Sequence, residues 1–443
     1  MKTHRREGWV KGLVICAAVL ALLGPIATSI CIPQAAAAEP VTIRYIDWML
    51  TNEPENTAVR RVIEGFEKEN PGIKVQFDPT PYDQYVTKIF VQMKAGQAPD
   101  VIKMSETILA GWIGEGTLRK LDSFIADAGG DRFTGQFYKS INDLARRGNS
   151  QYGIPVGGGG YMLQYNTRLY QEAGLDPNRP PKDFKEFLAY AGKLTKKDSS
   201  GTPIQWAFGM HGRNMQPNVG RFANWVWAFG GDILNSDNSQ SVFDSPQTIE
   251  ALTFWSELYN KYGYAPPGTL QAGPGDVRSL FAQRKTAMVL SILWGIDMTL
   301  FENPSLKPEI AFAPFPRLNP KYPVGMQAFY TGISTSSKHP EAAWKLAEYF
   351  GRKDSQKTIY MLSHHTPARV DAFRELVDQK VDPYAAVAEQ VSRMPLFPLP
   401  PIPQWAKISD VIGRMMGETL MKLKSPAEAA KEGHSQINKI LGK

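Results

Sequence analysis

The chain has 443 residues, of which 11% are aromatic and 21% charged, and its formal net charge is +7. A chain of this length is too long for one hydrophobic core and predicts two domains. The charge is too mild for a nucleic-acid-binding protein, since no dense basic stripe interleaved with aromatic residues is present. The two cysteines are Cys16 and Cys31, so the chain beyond residue 38 can form neither a disulfide nor a thiolate site.

Residues 1–38 have the composition of a secretory signal peptide. Four basic residues precede the apolar run Leu13 to Leu23, and the small residues Ala36 to Ala38 then predict cleavage before Glu39. Gly24-Pro25 interrupts the apolar run before it reaches the roughly 20 residues of a membrane span. We therefore expect a secreted, periplasmic protein, whose net charge falls to +4 when these four basic residues and one Glu are removed.

From residue 41 onward, strand and helix patterns alternate. Apolar residues predict strands over 41–45, 73–77 and 99–104, and apolar residues at helical spacing predict helices over 59–66 and 85–93 between them. This order predicts crossover units and a parallel sheet covered by helices. Ligands of such sheets bind outside the carboxyl ends of the strands.

The stretch Tyr152 to Asn166, YGIPVGGGGYMLQYN, places four glycines between an extended apolar run and an aromatic-rich one. Glycine is used where the backbone takes unusual dihedral angles or where another group approaches it closely. The run is not a phosphate loop, because no G-K-[ST] follows and Tyr161 to Asn166 has an extended pattern. A flexible surface loop and a close approach to another molecule both remain open from these residues alone.

Beyond the glycines, the patterns are mainly helical. Amphipathic spacing predicts helices over 184–194 and 246–262, and a shorter one over 277–281. The run KTAMVL at 285–290 predicts a strand, and a well-patterned helix follows Pro340.

Several blocks of sequence, in order, resemble one known family. The chain is similar to the extracellular solute-binding proteins of ABC importers, in the sugar-binding group that includes maltose-binding protein, over nearly the whole of residues 39–443. The blocks that carry the resemblance are VRRVIEGFEKENPGIKVQF, KAGQAPDVIKM, GIPVGGGGYMLQYNTRLYQEAGLDP, LFAQRKTAMVLSILWG, TGISTSSKHPEAAWKLAEYF, HTPARVDA and LPPIPQWAKISDVIG.

The resemblance implies an α/β, two-lobed periplasmic-binding-protein fold with three interlobe crossing segments and a central ligand cleft. Tyr152 to Val156 would be the first crossing, and Gly157 to Gly160 would form a loop at the cleft wall where backbone N–H groups meet a ligand. The expected division is 1–38 signal peptide, 39–152 and 288–330 first lobe, and 153–287 and 331–443 second lobe.

The chain departs from the family pattern at three places that we expect near the cleft. Arg284 stands where the family usually has Gly, Ser291 to Leu293 precede a Trp that often follows Gly, and Gln327-Ala328 replace two common glycines. These departures bear on the class of ligand more than on the fold.

A sugar site needs flat aromatic platforms and planar polar groups that bond hydroxyls in fixed directions. Candidates come from the ends of the first three strands, from the glycine run, from the segment NWVWAFGGDIL, from the crossings and from the TPAR loop. They are Trp48, Glu53, Tyr82, Glu106, Gly158, Gly159, Tyr161, Trp225, Trp227, Trp294, Phe329, Tyr330 and Arg369.

Structural alternatives exist for these candidates. Any of the tryptophans could belong to the core, Glu106 could cap the helix that begins at Thr107, and Arg369 could form an interlobe salt bridge. His364-His365 is a poor metal site, because adjacent side chains of a strand point apart and no cysteine completes a ligand set. We expect no metal and no cofactor.

The leading interpretation is a binding protein, not an enzyme, that captures a sugar or sugar-like polar solute and delivers it to the membrane subunits of an ABC permease. We expect a monomer that binds no nucleic acid. One alternative is the same fold with a non-sugar ligand: a glycerophosphodiester, a polyamine, or iron held by Tyr161 with Tyr330. The other is a secreted glycan hydrolase, although no G-x-S-x-G elbow is present and no acid pair is marked by its spacing.

Overall fold

The structure is a computed structural model that describes residues 40–443, which form one compact unit. The predicted signal peptide, 1–38, lies outside the described residues together with both cysteines. None of the helices within 40–443 combines the length and the apolarity needed to cross a bilayer.

Strands and helices alternate along the chain, and each predicted element of both kinds is present. The strands are β1 (Val41–Asp47), β2 (Ile73–Pro79), β3 (Val101–Ser105), β4 (Arg146–Arg147), β5 (Ser150–Gln151), β6 (Ile154–Gly160), β7 (Met162–Asn166), β8 (Lys196–Lys197), β9 (Pro203–Gly209), β10 (Thr286–Ser291), β11 (Ile310–Pro314), β12 (Val324–Ile333) and β13 (Leu396–Phe397). The α-helices are α1 (Glu55–Glu69), α2 (Tyr82–Lys94), α3 (Glu106–Gly114), α4 (Asp122–Asp127), α5 (Asp131–Thr134), α6 (Lys139–Asn142), α7 (Thr167–Glu172), α8 (Phe184–Leu194), α9 (Gln216–Ala228), α10 (Pro246–Asn260), α11 (Pro274–Ala282), α12 (Gly295–Glu302), α13 (Pro340–Phe350), α14 (Lys353–Ser363), α15 (Val370–Asp378), α16 (Ala385–Ser392), α17 (Trp405–Leu420) and α18 (Pro426–Ile440). Short 3-10 helices cover Trp48–Thr51, Asp143–Ala145, Pro267–Gln271 and Pro304–Glu309.

The first lobe is built on a six-stranded sheet with the order β13-β12-β3-β1-β2, in which β6 also pairs with β12. β1 runs parallel to β2 and β3, with Tyr45 opposite both Phe77 and Val101. β12 is antiparallel to both β3 and β6. The carboxyl ends of β1, β2 and β3 therefore meet at one edge, as the sequence predicts.

The second lobe is built on a five-stranded sheet with the order β11-β7-β10-β9-β8. β10 is parallel to β9, whereas β7 is antiparallel to β10 and β11. An aromatic core covers this sheet, centred on Trp225, which packs against Phe184, Phe208 and Phe315.

Three segments connect the lobes, but they lie at other positions than we predicted. The chain passes from β6 into β7 at Tyr161 and returns between β11 and β12. It crosses again after β13 into α17 and α18, which pack on α9 and α10 of the second lobe.

Strand pairing also corrects the predicted lobe boundaries in the second half of the chain. Residues 286–314 belong mainly to the second lobe, because β10 and β11 both pair with β7. The segment after residue 331 does not start the second lobe, because α13 covers the first sheet and α14 packs on α1 of the same lobe. Phe350 of α13 stacks on Tyr45 of β1, with 5.1 Å between the ring centroids.

The four glycines lie in a buried strand, so the expected loop at the cleft wall is wrong. Gly157 to Gly160 are the end of β6, which pairs with β12, and the backbone N–H of Gly158 donates to the carbonyl oxygen of Thr366 at 2.9 Å. A Cβ on Gly158 would lie 2.8 Å from the carbonyl oxygen of Gln327, and one on Gly159 2.5 Å from the Thr366 hydroxyl. Side chains are missing here because other parts of the backbone pack against this strand.

Candidate functional site

A cleft with a volume of about 230 Å³ lies between the lobes, outside the carboxyl ends of β1 and β3. Both lobes and the crossing at Tyr161 contribute to its walls. The residues that line it are Trp48, Met49, Asn52, Glu55, Tyr82, Ser105, Glu106, Thr107, Tyr161, Gln216, Pro217, Gly220, Arg221, Pro274, Trp294, Met298, Gln327, Phe329, His365 and Leu399.

Aromatic rings from both lobes converge in the cleft. Trp48 follows β1 directly and makes edge contacts with Tyr82 at 5.4 Å and with Phe329 at 5.9 Å between ring centroids. Trp294, which precedes α12, approaches Phe329 from the other lobe at 5.2 Å and stacks on His365 at 4.8 Å. Trp48 and Trp294 are each half-buried, so part of each ring remains open to the cleft.

Glu106 is one of two buried acids in the first-lobe wall, the other being Glu55. Glu106 is only 3% exposed, and its Oε2 accepts a hydrogen bond from the backbone N–H of Ala328 at 3.1 Å. Burial raises the pKa of Glu106 to about 7, because the charged form is poorly solvated there. Ser105, not Glu106, is the N-cap of α3 and accepts the N–H of Ile108. The capping alternative for Glu106 is therefore wrong.

Arg221 is the basic group of the second-lobe wall and was not among the residues predicted from the sequence. It lies in α9, where its Nη1 donates to the carbonyl oxygen of Pro217 at 2.9 Å. Its guanidinium carbon lies 5.7 Å from the centre of the Tyr161 ring. Arg221 is the one charged residue in α9, and this was the signal in the sequence that could have identified it.

Of the three departures from the family pattern, Gln327 lies in the cleft. Its Nε2 donates to the Tyr161 hydroxyl at 3.0 Å, and both residues line the cavity. Arg284 does not line it: this residue has a φ of 59° and forms a bidentate ion pair with Glu309 at 2.8 and 2.9 Å. A left-handed backbone favours glycine, so this departure from the family pattern concerns the backbone conformation and lies away from the cleft lining.

Comparison with known proteins agrees with this architecture. The sequence model of the bacterial extracellular solute-binding proteins matches residues 28–357. The chain belongs to this family. A putative binding protein of Brucella abortus is 24% identical over 445 residues, covering 98% of this chain and 99% of the relative. The galactooligosaccharide-binding protein of Bacillus subtilis is 24% identical over 89% of this chain and 88% of its own length.

Solved structures confirm the two-lobed fold. An ABC transporter solute-binding protein of Thermotoga lettingae, bound with α-D-tagatose, is 26% identical and superposes with a TM-score of 0.78, covering 91% of this chain and 100% of that one. The resemblance to the solute-binding proteins of ABC importers is therefore confirmed, and the protein is the solute-binding component of such a transporter. Its family is one of binding proteins.

Six of the predicted site residues line the cleft of this solute-binding protein. The four that extend from the first sheet are Trp48, Tyr82, Glu106 and Phe329, whereas Tyr161 comes from the crossing and Trp294 from the second lobe. Their role in binding remains a proposal.

The other predicted site residues make structural contacts away from the cleft. Trp225 and Trp227 are each 2% exposed, Trp225 in the aromatic core and Trp227 with its Nε1 donating to Asp232 at 2.9 Å. Tyr330 is buried and donates its hydroxyl to the carbonyl oxygen of Ile141 at 2.7 Å. The expectation that one of Trp225 and Trp227 stacks on a ligand is not supported, because neither lines the cleft.

Glu53, Arg369 and the glycines also fall outside the cleft lining. Glu53 is exposed and accepts hydrogen bonds from Asn56 and Thr57, whose hydroxyl lowers its pKa. Arg369 pairs with Asp371 at 2.8 Å, which is a local ion pair and not the interlobe bridge that was its structural alternative. Gly158 and Gly159 have their backbone covered by β12 and by the Thr366 segment.

Neither residue of the His364-His365 pair is arranged as a metal ligand. The Nδ1 of His364 lies 2.7 Å from Asp297, an ion pair between the first lobe and α12 of the second. His365 stacks on Trp294, and burial lowers its pKa to about 3, so it is neutral at physiological pH. Within 40–443, no three His, Asp or Glu side chains lie together as a metal site would require.

Proposed function

We propose that this solute-binding protein captures a sugar or sugar-like polar solute in the cleft, closes its lobes around it and delivers it to an ABC permease. The observation that carries the proposal is the pairing of half-buried indole rings, Trp48 and Trp294, with polar groups of fixed direction in one cavity. Aromatic faces accommodate the C–H surface of a sugar ring, and the polar groups bond its hydroxyls.

The polar groups come from opposite walls and have different hydrogen-bonding characters. Glu106 accepts hydrogen bonds when ionised, whereas Arg221 only donates them. Gln327 has both kinds of atom, and its Nε2 is already bonded to Tyr161. A polyhydroxylated solute suits this cavity because each hydroxyl can both donate and accept.

Closure of the lobes would follow from the placement of these groups. A ligand shifts an equilibrium between open and closed forms only if it binds the closed form more tightly. Trp48 and Glu106 belong to the first lobe and Trp294 and Arg221 to the second, so a solute that contacts all four requires both walls.

The names of relatives are consistent with a carbohydrate ligand and a permease partner. The Bacillus subtilis relative is named for galactooligosaccharide, and the Thermotoga lettingae protein was solved with a ketohexose. We extend these descriptions to this chain as a proposal, together with a monomeric state, no nucleic-acid partner and a periplasmic location after cleavage of the leader.

The test is thermal unfolding and calorimetric titration of the chain from Glu39 onward against mono-, di- and oligosaccharides. A ligand at about 100 times its dissociation constant stabilises the folded state by roughly 2.7 kcal/mol. The proposal expects at least one saccharide to bind and to be recovered unconverted. Turnover of a bound glycan would instead favour the hydrolase.

Trp294→Ala then tests the site itself. Loss of the platform should weaken saccharide binding by roughly tenfold or more while the protein stays folded. Trp344→Ala is the matched control, since Trp344 stacks on Phe124 at 5.3 Å on the surface of the first lobe. The control should lower the melting temperature and leave the affinity unchanged. Equal affinities of wild type and Trp294→Ala would remove Trp294 from the site.

A further inference from the structure

A second, smaller chamber adjoins the cleft on the side of the second lobe. It has a volume of about 110 Å³ and shares Arg221, Pro274, Trp294 and Met298 with the cleft. This is space for only a few water molecules, each of which needs roughly 30 Å³ in the liquid. The chamber can therefore hold a small polar group of a solute.

The polar side chains that face this chamber offer donors without partners. Gln164 of β7 is 1% exposed, and its amide nitrogen has no hydrogen-bond partner among residues 40–443. The Nε of Arg221 is also buried and without a partner in that part of the chain. A buried donor without a partner destabilises the fold, because it has lost its hydrogen bonds to water. Two such donors at one chamber indicate that an acceptor belongs there.

The charges around the chamber also indicate that an acceptor belongs there. No Asp or Glu of the described residues lines it, and the one other arginine, Arg278, is balanced by Glu302 at 2.6 Å. Arg221 contacts the carbonyl oxygen of Pro217 and the Tyr161 ring, neither of which carries a negative charge.

A histidine in the chamber wall adds no second charge. Burial, followed by the nearby charge of Arg221, holds the pKa of His211 well below its usual value, so its imidazole is neutral at physiological pH. Arg221 is consequently the uncompensated cation of the chamber.

We propose that the chamber binds an anionic group, a carboxylate or a phosphate, carried by the solute in the cleft. The inference rests on the proposed function and narrows its substrate class to sugar acids and to sugar or polyol phosphates. A guanidinium matches the geometry of both groups and bonds them more strongly than it bonds a neutral hydroxyl. The hydroxyls of the same solute would lie toward Glu106, where an acceptor is available.

The test compares solutes that differ in one charged group. Calorimetric titrations would use glucose, glucuronate and glucose 6-phosphate, and glycerol with glycerol 3-phosphate, at constant ionic strength, together with neutral oligosaccharides. At least one charged solute should bind tenfold or more tightly than its neutral counterpart. A preference for glucuronate assigns the chamber to a carboxylate, and a preference for either phosphate assigns it to a phosphoryl group.

Variants of Arg221 test whether the chamber, and not another part of the protein, causes the preference for charged solutes. In Arg221→Gln the ratio of the affinities for the charged and the neutral solute should fall to about one. Arg221→Lys keeps the positive charge but loses the planar guanidinium, so it should retain part of the preference. Arg146→Gln is the control, because Arg146 is exposed and its guanidinium donates to the carbonyl oxygen of Asn149, away from the cleft and the chamber. Circular dichroism of each variant verifies that it is folded.

Two results would overturn the inference and leave the proposed function standing: neutral saccharides that bind better than any charged solute, or a charge preference that survives in Arg221→Gln. If no solute of either kind binds, the proposed function fails and the inference fails with it. The two failures are thus distinguished by the neutral saccharides.

Discussion

Glu106→Gln removes a titrating carboxyl from the cleft with little change in shape. The glutamine retains an oxygen that can accept the backbone N–H of Ala328. Burial raises the pKa of Glu106 from 4.5 to about 7. Since a tenfold change in proton affinity corresponds to roughly 1.4 kcal/mol, ionisation of this carboxyl lowers the free energy of unfolding by about 3 kcal/mol.

The sign of the pH dependence follows from the direction of this shift. The folded protein binds the Glu106 proton more tightly than the unfolded chain, so protonation stabilises the fold. This stabilisation is complete below pH 4.5 and is lost as the pH rises through about 7. Glu106→Gln does not titrate, so its free energy of unfolding relative to wild type should rise by about 3 kcal/mol between pH 4.5 and 8.

The assay is urea unfolding of wild type and variant at pH 5, 6, 7 and 8 without ligand. Glu53→Gln is the matched control, because Glu53 is exposed and the Thr57 hydroxyl lowers its pKa. The free energy of unfolding of Glu53→Gln should change with pH in the same way as that of wild type over this range. If the free energy of unfolding of Glu106→Gln changed with pH as that of wild type does, the conclusion that Glu106 is buried in a poorly solvated wall would be refuted.

Two further substitutions test the packing at the crossing and the contact between the lobes. Gly159→Ala should destabilise the fold by about 1–3 kcal/mol, because its Cβ would lie 2.5 Å from the Thr366 hydroxyl; Gly72→Ala, with nothing within 4 Å, should have little effect on the melting temperature. Although burial opposes protonation of His364, its hydrogen bond to Asp297 prevails and raises its pKa. The contact between His364 and Asp297 therefore stabilises the protein below pH 6.5, and this stabilisation is lost as the pH rises further. In His364→Gln the melting temperature should depend less on pH over this range. An equal pH dependence in wild type and variant would contradict the assignment.

Local sequence patterns predicted the elements of the fold but not the pairing of the later strands. The periodicity over 41–104 predicts β1, β2 and β3 in their observed parallel arrangement, because each is joined to the next by one helix. β10 and β12 are both almost continuously buried, and such a pattern does not indicate which sheet a strand joins. Their placement depends on partners far away in the sequence.

The sequence predicted the first-lobe part of the candidate site better than the second-lobe part. The rule that ligands bind at strand ends placed Trp48, Tyr82 and Glu106 correctly, since Trp48 and Glu106 directly follow β1 and β3 and Tyr82 begins α2 shortly after β2. In the second lobe the cleft meets the first turns of α9, and the tryptophan-rich turn that we selected lies deeper. A rise of roughly 1.5 Å per residue places Trp225 about 6 Å further along the axis than Arg221, which moves it from the cleft wall into the core.

Under the proposed function, the two walls of the cleft would impose an orientation on a bound solute. Glu106 in the first lobe is an acceptor once ionised, whereas Arg221 in the second is a donor with no acidic contact. A solute with hydroxyls at one end and an acceptor at the other satisfies both walls in one direction only. A solute bound in the opposite direction would place its acceptor at Glu106 and its hydroxyls at Arg221. Buried groups would then remain unpaired, at a cost of about 1–3 kcal/mol each. Under the proposed function, closure would then depend on orientation as well as on occupancy, and the protein would discriminate between solutes of similar size.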